Sequence, residues 1–359
     1  MIFRNKLNKI RKFSKLLFIT ILLFNTIFIF KLYANSFKIN EIEVSEDFNL
    51  TFNKQKVFDK AFQAAFIELT SAVISSKDIK KIEKTTLSTI KSLVDSFNII
   101  DEKFYDDKYI ARINVNFNKK SFFAFLVSKN IFPSIPKKIN VLIIPILTNS
   151  QNNQFVLFSE NPIYLNWNNY NKKYHLLNYI LPTEDIDDAE NLRKNIELIE
   201  EYKFQELIKK YELKNYIILI MNQDNNKINL MSKLQLNGTY KILNQNYKDI
   251  KIDNETSIKK IVLDIKNSYE DEWKKLNLIN TSIKLPLTLS VPTKEIDKIK
   301  LLDKVLGSLD LVSNYQIVSF TSKSLIYKII YNGSPDKFFN EIRDMGIIFN
   351  KKNMIWEIK

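Results

Sequence analysis

Cysteine is absent from all 359 residues, which excludes disulfides, thiolate metal sites, a Cys nucleophile and a lipid-modified N-terminal Cys. Glycine occurs four times, at Gly238, Gly307, Gly333 and Gly346. A loop that cradles phosphate needs several glycines close together so that backbone N–H groups reach the ligand, and these four are too scattered for that. Histidine occurs once, as His175 in "KKYHLLNY". One imidazole is enough for a Ser-His-Asp triad, yet no G-x-S-x-G elbow exists to supply the nucleophile. The expectation for His175 is a partly exposed side chain near a strand start. With one His and no Cys, zinc would rely on carboxylates. Neither a cofactor nor a metal is expected.

What is abundant is Lys, Asn, Ile, Phe and Tyr, the residues of A/T-rich codons, so runs of Asn and Lys carry less functional weight than usual. The net charge of +14 resembles a nucleic-acid footprint. Half of it, +7, sits on residues 1–34, which contain seven Lys and Arg and no acid. The rest is spread among acids without a dense basic stripe, and nucleic acid is not expected as a partner.

The N-terminus has a basic region (Arg4 to Lys15), the apolar run "LLFITILLFNTIFIF" from Leu16 to Phe30, and "KLYAN" with the small Ala34. This is the layout of a secretory signal peptide. The rival is an uncleaved inner-membrane tether through residues 16–33, since the run approaches the roughly 20 residues that span a bilayer. Basic residues before the apolar run direct the rest of the chain outward in either case. An exported chain without disulfides fits a bacterial periplasm.

Hydrophobic periodicity divides the remainder into three small α/β (α+β) modules, at 35–137, 138–280 and 281–359. In the first, "VFDKAFQAAFIELTSAVI" places Val57, Ala61, Ala65, Leu69 and Val73 on one face of a helix. A second helix is expected over Lys77 to Phe97, then strands at Phe97–Phe104 and Tyr109–Phe117, with "IFPSIPKK" as a linker. In the middle module "INVLIIPIL" reads as a strand covered on both faces. Three strand candidates follow, separated by the polar turns "QDNN" and "NG", and then a helix over about Ser257 to Leu276. The charged stretch 190–215, with Leu192, Ile196, Ile199, Phe204, Leu207, Ile208 and Tyr211 as apolar anchors, is expected to cover that sheet. The last module runs strand-helix-strand twice, the ferredoxin-like βαββαβ pattern. Its second helix is punctuated by Ser334, Pro335, Asp336 and Gly346.

Two stretches are candidates for binding. "FSENPIYLNWNNY" offers Asn161, Tyr164 and Trp167. Asn161-Pro162 should start a turn or short helix, on which Tyr164 and Trp167, three apart, would share a face. Burial of that face against the middle sheet is the first expectation; it would suit a small ligand or glycan only if Trp167 is accessible, and a buried Trp167 removes that reading. "PTEDIDDAEN" offers Asp185 and Asp187 among five acids. A Ca²⁺ or Mg²⁺ loop would need the spacing and Gly of an EF-hand, which are absent, and the expectation is that Thr183 caps a helix with the acids in its first turn. A hydrolase working through His175 or the Asp185/Asp187 region is a further alternative.

Four stretches carry a resemblance. They are "AFQAAFIEL"; the join "RINVNFNKKSFFAFLVSKNIF…KKINVLIIPIL"; "FSENPIYLNWNNY" with the later "LLNYILPTEDIDD"; and "YNGSPDKFFNEIRDMGI". In this order they are similar to domain of unknown function 2066, a family of exported proteobacterial proteins. The resemblance implies a cell-envelope protein and brings no catalytic residues with it. The expectation is a non-enzymatic envelope scaffold that binds other envelope proteins.

Overall fold

The computed structural model describes residues 37–149, 154–252, 254–280, 283–352 and 355–358. The apolar run at 16–30 and its flanks lie outside the described residues. No helix among the described residues is long and apolar enough to cross a membrane. Mixed helices and strands build three sheets, an α/β fold, and Ser36–Lys359 cluster as one unit.

The first sheet has the order β1 (Lys38–Asp47), β3 (Lys108–Phe117), β2 (Val94–Tyr105), all antiparallel. Tyr109, Ala111, Ile113, Val115 and Phe117 alternate inward along β3, as the period-2 pattern requires. They share a core with Val57, Ala61, Ala65, Leu69 and Val73 of α1 (Lys54–Val73), the stripe visible in the sequence. The helix expected over Lys77–Phe97 is instead two short pieces, α2 (Ser76–Ile79) and α3 (Leu87–Leu93), and β2 starts at Val94. The physical reason is tertiary. Phe97 and Ile99 pair with Val115 and Ile113, and that ladder outweighs local helix preference. A further helix, α4 (Lys119–Ser128), is capped by Asn118.

The middle sheet has the order β5 (Gln154–Val156), β4 (Ile139–Asn149), β7 (Tyr216–Asp224), β8 (Lys227–Leu236), β9 (Thr239–Lys248), with β6 (Leu177–Ile180) also on β4. β4 runs parallel to β6 and β7, so both its faces need cover. Val141 and Ile143 face α8 (Glu255–Leu276), while Leu142, Ile144 and Ile146 face the opposite layer. That layer is the charged stretch, which covers the sheet as expected. It does so in pieces: α6 (Ile186–Lys194), a 3₁₀ turn, and α7 (Gln205–Lys210), after α5 (Pro162–Asn166). Phe204, in the left-handed region at φ 54°, breaks the helical run and turns its ring into the core with Leu192, Ile199 and Leu207. β8 and β9 join through Asn237-Gly238, both at positive φ, the two-residue hairpin turn that Asn-Gly favours.

The third sheet has the order β11 (Val312–Phe320), β12 (Ser324–Tyr331), β10 (Leu285–Pro292), β14 (Ile355–Ile358), β13 (Phe349–Lys352), with α9 (Ile296–Ser308) and α10 (Pro335–Asp344). Strand-helix-strand-strand-helix occurs as read from the sequence. The chain then closes with a hairpin whose second strand, β14, pairs parallel with β10. In a four-strand split βαβ sheet the closing strand runs antiparallel to the first strand. β13 keeps that direction but is displaced outward by β14. Ser334 caps α10, Pro335 opens it, and Gly346 follows it at φ 84°.

The proline stretch 131–138 is pinned in place. Ser134 N–H donates to Val73 O at 2.7 Å, its hydroxyl donates to the same carbonyl, and Ser134 bridges Leu278.

Candidate functional site

The densest group of buried polar side chains lies where α8 crosses the middle sheet and the segment 167–177. Lys266, Glu270 and Lys274 are spaced by four, so they lie along one face of α8, and all three are buried. Lys266 Nζ donates to Trp167 O at 2.6 Å and to Asn171 Oδ1 at 2.5 Å, and it lies over the rings of Trp167 and Tyr179. Burial lowers its pKa to about 8. The Glu270 carboxylate accepts from Leu176 N at 2.9 Å and Leu177 N at 3.0 Å. Burial raises its pKa, against those hydrogen bonds and the neighbouring lysines. Lys274 Nζ donates to Ser71 O at 2.6 Å and Ile74 O at 3.0 Å, the carbonyls that close α1. A cation there satisfies orphan acceptors and complements the helix dipole.

The same helix reaches further, to α2 and the proline stretch. Asp271 accepts from Ser76 N at 2.9 Å and Ser76 Oγ at 2.5 Å, and Trp273 Nε1 donates to Lys137 O at 2.7 Å. Helix α8 therefore fastens the middle sheet to α1 through Lys274, to the start of α2 through Asp271 and to the proline stretch through Trp273. None of this was read from the sequence. The available signal was a Lys-x₃-Glu-x₃-Lys row on an otherwise apolar helical face.

The sequence candidates fall into two places. Asn161 is buried; its side chain caps α5 by accepting from Ile163 N and donates to Pro145 O at 3.1 Å. Trp167 has 0% of its surface exposed and packs on Tyr179 and Tyr269 at centroid separations of 5.3 and 6.3 Å. The small-ligand or glycan reading centred on Trp167 falls with that burial. Tyr164 and Trp167 do not share a face either. Tyr164 packs edge-on to Phe158 in the layer under α6 and donates to Pro182 O, whereas Trp167 joins the α8 core. The reason is that α5 ends at Asn166 and the chain tightens into a 3₁₀ turn at Trp167–Tyr170, which breaks the helical spacing.

His175 is 7% exposed rather than partly open, just ahead of β6. Its Nδ1 accepts from Lys172 N, and burial together with Lys266, Lys274 and Lys172 lowers its pKa to about 4. Trp167 Nε1, His175 Nε2 and Tyr179 Oη have no partner among the described residues.

Asp185, not Thr183, caps α6, accepting from Asp188 N at 3.0 Å. Asp187 lies in the first turn and is exposed. Asp185 and the buried Asp188 both pair with Lys210. A surface cleft of about 370 Å³ beside them is lined by Phe158, Ser159, Glu184, Asp185, Ile186 and Arg193, among others. Its Glu184 is engaged by Ser159. No group of three His, Asp or Glu side chains among the described residues is arranged to hold a metal ion. His175 belongs to the α8 side of the middle sheet and Asp185 to the α6 side, so the fold does not bring these two hydrolase candidates together. No protein-family model and no curated protein matches the chain.

Proposed function

We propose that this chain is an exported cell-envelope protein that works by binding other proteins rather than by catalysis. The observation that carries the reading is an aromatic patch at one tip of the first sheet. Phe48 packs on Phe52 at 5.0 Å and on Phe104 at 4.8 Å, and Phe104 and Phe52 both pack on Tyr109 at 5.2 Å. Phe48 N–H donates to Asp107 O at 2.7 Å, which ties the two loops of the tip together. Phe104 is nevertheless 62% exposed, Phe48 is open as well, and Leu50, two residues on from Phe48, stands out into solvent. Rings held in fixed mutual geometry but left open to water lose little entropy on docking, which is what an interface anchor requires.

Export rests on the layout of residues 1–34, and the likeness to domain of unknown function 2066 rests on its four stretches. The test is photo-crosslinking from position 50 or 104 of the full chain, with position 198, on another exposed surface, as the control. Discrete adducts are expected from both positions, and those from position 50 should be lost in Phe48→Ser/Phe104→Ser. Adducts identical to those from position 198 would remove the reading.

A further inference from the structure

The sheets of this molecule end in edges of two kinds. β5 has three residues and β6 and β13 have four each. β1, β2 and β11 are longer, but each carries a register shift against its neighbour. Short length and bulges are two ordinary ways of making an edge unfit for pairing with a foreign strand. β9 has neither. Its ten residues pair with β8 in unbroken register from Lys227↔Lys248 to Leu236↔Thr239, and among the described residues nothing pairs with its other side.

One face of β9 is already committed. Lys241 pairs with Glu272 at 2.5 Å, Gln245 Nε2 donates to Ser268 Oγ at 3.0 Å, and Tyr247 donates to Asp264 at 2.8 Å, all on α8. The opposite face carries Tyr240, Ile242, Asn244, Asn246 and Lys248. On that side α6 and α7 cover β4 and β7 but stop short of β9, so Tyr240 is 55% and Ile242 46% exposed.

The charge of the hairpin says what fits. Residues 227–248 contain four lysines and no carboxylate. At the end of the ladder Lys227 and Lys248 are directly opposite, a like-charged pair that costs stability, and Lys248 has no ion-pair partner among the described residues.

We propose that the free edge of β9 docks an extended acidic segment of a partner protein as an added strand. Main-chain hydrogen bonds to the edge provide affinity. A carboxylate beside Lys248 and apolar side chains beside Tyr240 and Ile242 provide selectivity. A second copy of this chain is disfavoured as occupant, because it brings another Lys248 and no carboxylate within its own β9 to the edge.

The test uses the full chain and three eight-residue peptides of alternating Val and Thr. One carries two Glu, one carries two Lys in their place, and the third is the Glu peptide with alternate backbone nitrogens methylated. Fluorescence anisotropy gives the affinity, and hydrogen exchange reports the amides of 239–248. The Glu peptide is expected to bind and to slow exchange along β9. Lys248→Glu should weaken it about tenfold or more. The Lys and N-methylated peptides should not bind. Ile242→Asp serves as a second variant, with circular dichroism confirming that each variant is folded. Equal binding by the N-methylated peptide, unchanged exchange along β9, or no binding of the Glu peptide at about 1 mM overturns the proposal. Crosslinks from positions 50 and 104 do not depend on β9, so their survival in Lys248→Glu separates failure of this inference from failure of the interaction reading.

Discussion

The two sides of the middle sheet are held by different means. Under α6 and α7 the layer is almost wholly apolar: Leu192, Ile199, Phe204 and Leu207 close on Leu142, Ile144, Ile146, Ile218 and Ile220. Under α8 the apolar packing of Ile261, Ile265, Tyr269 and Trp273 is interrupted by Lys266, Glu270, Lys274 and His175, most with named partners. Burying apolar area is non-directional, so it stabilises contact without fixing one arrangement. A buried lysine that must reach Ser71 O and Ile74 O fixes it. We read the polar side as the one that sets how the middle sheet joins α1 and α2, and the apolar side as plain cover.

The sharpest way to break this contrast is Glu270→Ala. It leaves Leu176 N–H and Leu177 N–H unpaired and removes the carboxylate near buried Lys266 and Lys274. Removing one member of a buried charge set costs about 3–5 kcal/mol. Denaturant unfolding should show that loss, together with faster proteolysis near residues 71–76 if the join loosens. An unchanged midpoint would mean that the row contributes nothing to the join. Leu207→Ala, on the apolar side, should cost roughly 2–4 kcal/mol as a cavity. There the join near 71–76 should stay protected. If both variants expose 71–76 equally, the two sides do not differ in the way argued.

Much of this was legible in the sequence and some was not, and the division tracks range. Local signals were readable: the Ala-spaced stripe of α1, the β4 run, the Asn-Gly hairpin, the start of α5 at Asn161-Pro162, and the punctuation of α10. What failed depended on distant partners. The Lys77–Phe97 helix gives way to β2 because β3 lies beside it. Trp167 and Tyr164 separate because α5 ends after little more than one turn between two core layers. The Lys266–Glu270–Lys274 row gains its meaning only from Leu176, Ser71 and Trp167, each about 90 or more residues away.

A smaller effect belongs to His175, and its sign is set by its surroundings. Its folded pKa, about 4, is below the ordinary 6.5 because burial and three lysines disfavour the imidazolium. Above pH 6.5 the ring is neutral in both the folded and unfolded states. As pH falls from 6.5 to 4 the unfolded chain takes up a proton that the folded chain refuses, so stability declines across that window. His175→Gln should flatten this part of the melting-temperature profile. An unaltered slope between pH 6.5 and 4 would show that His175 is not what titrates.

The smallest effect is expected at Asp185, a half-buried residue at the rim of the apolar side. The hydrogen bond from Asp188 N–H, helped by Lys210, holds its carboxyl below the ordinary 3.8. A depressed carboxyl contributes stability that is present above 3.8 and lost as pH falls through the folded value. Asp185→Asn keeps an oxygen to cap α6 and gives up only the ion pair with Lys210, which is solvent-screened. Near neutral pH its unfolding midpoint should fall only slightly below that of the parent chain, and the small difference should vanish as pH falls below 3.8. A large loss at neutral pH would show the charge of Asp185 holding α6 in place. The α6 side of the sheet would then depend on a fixed polar contact as the α8 side does, and the contrast between them would narrow to one of degree.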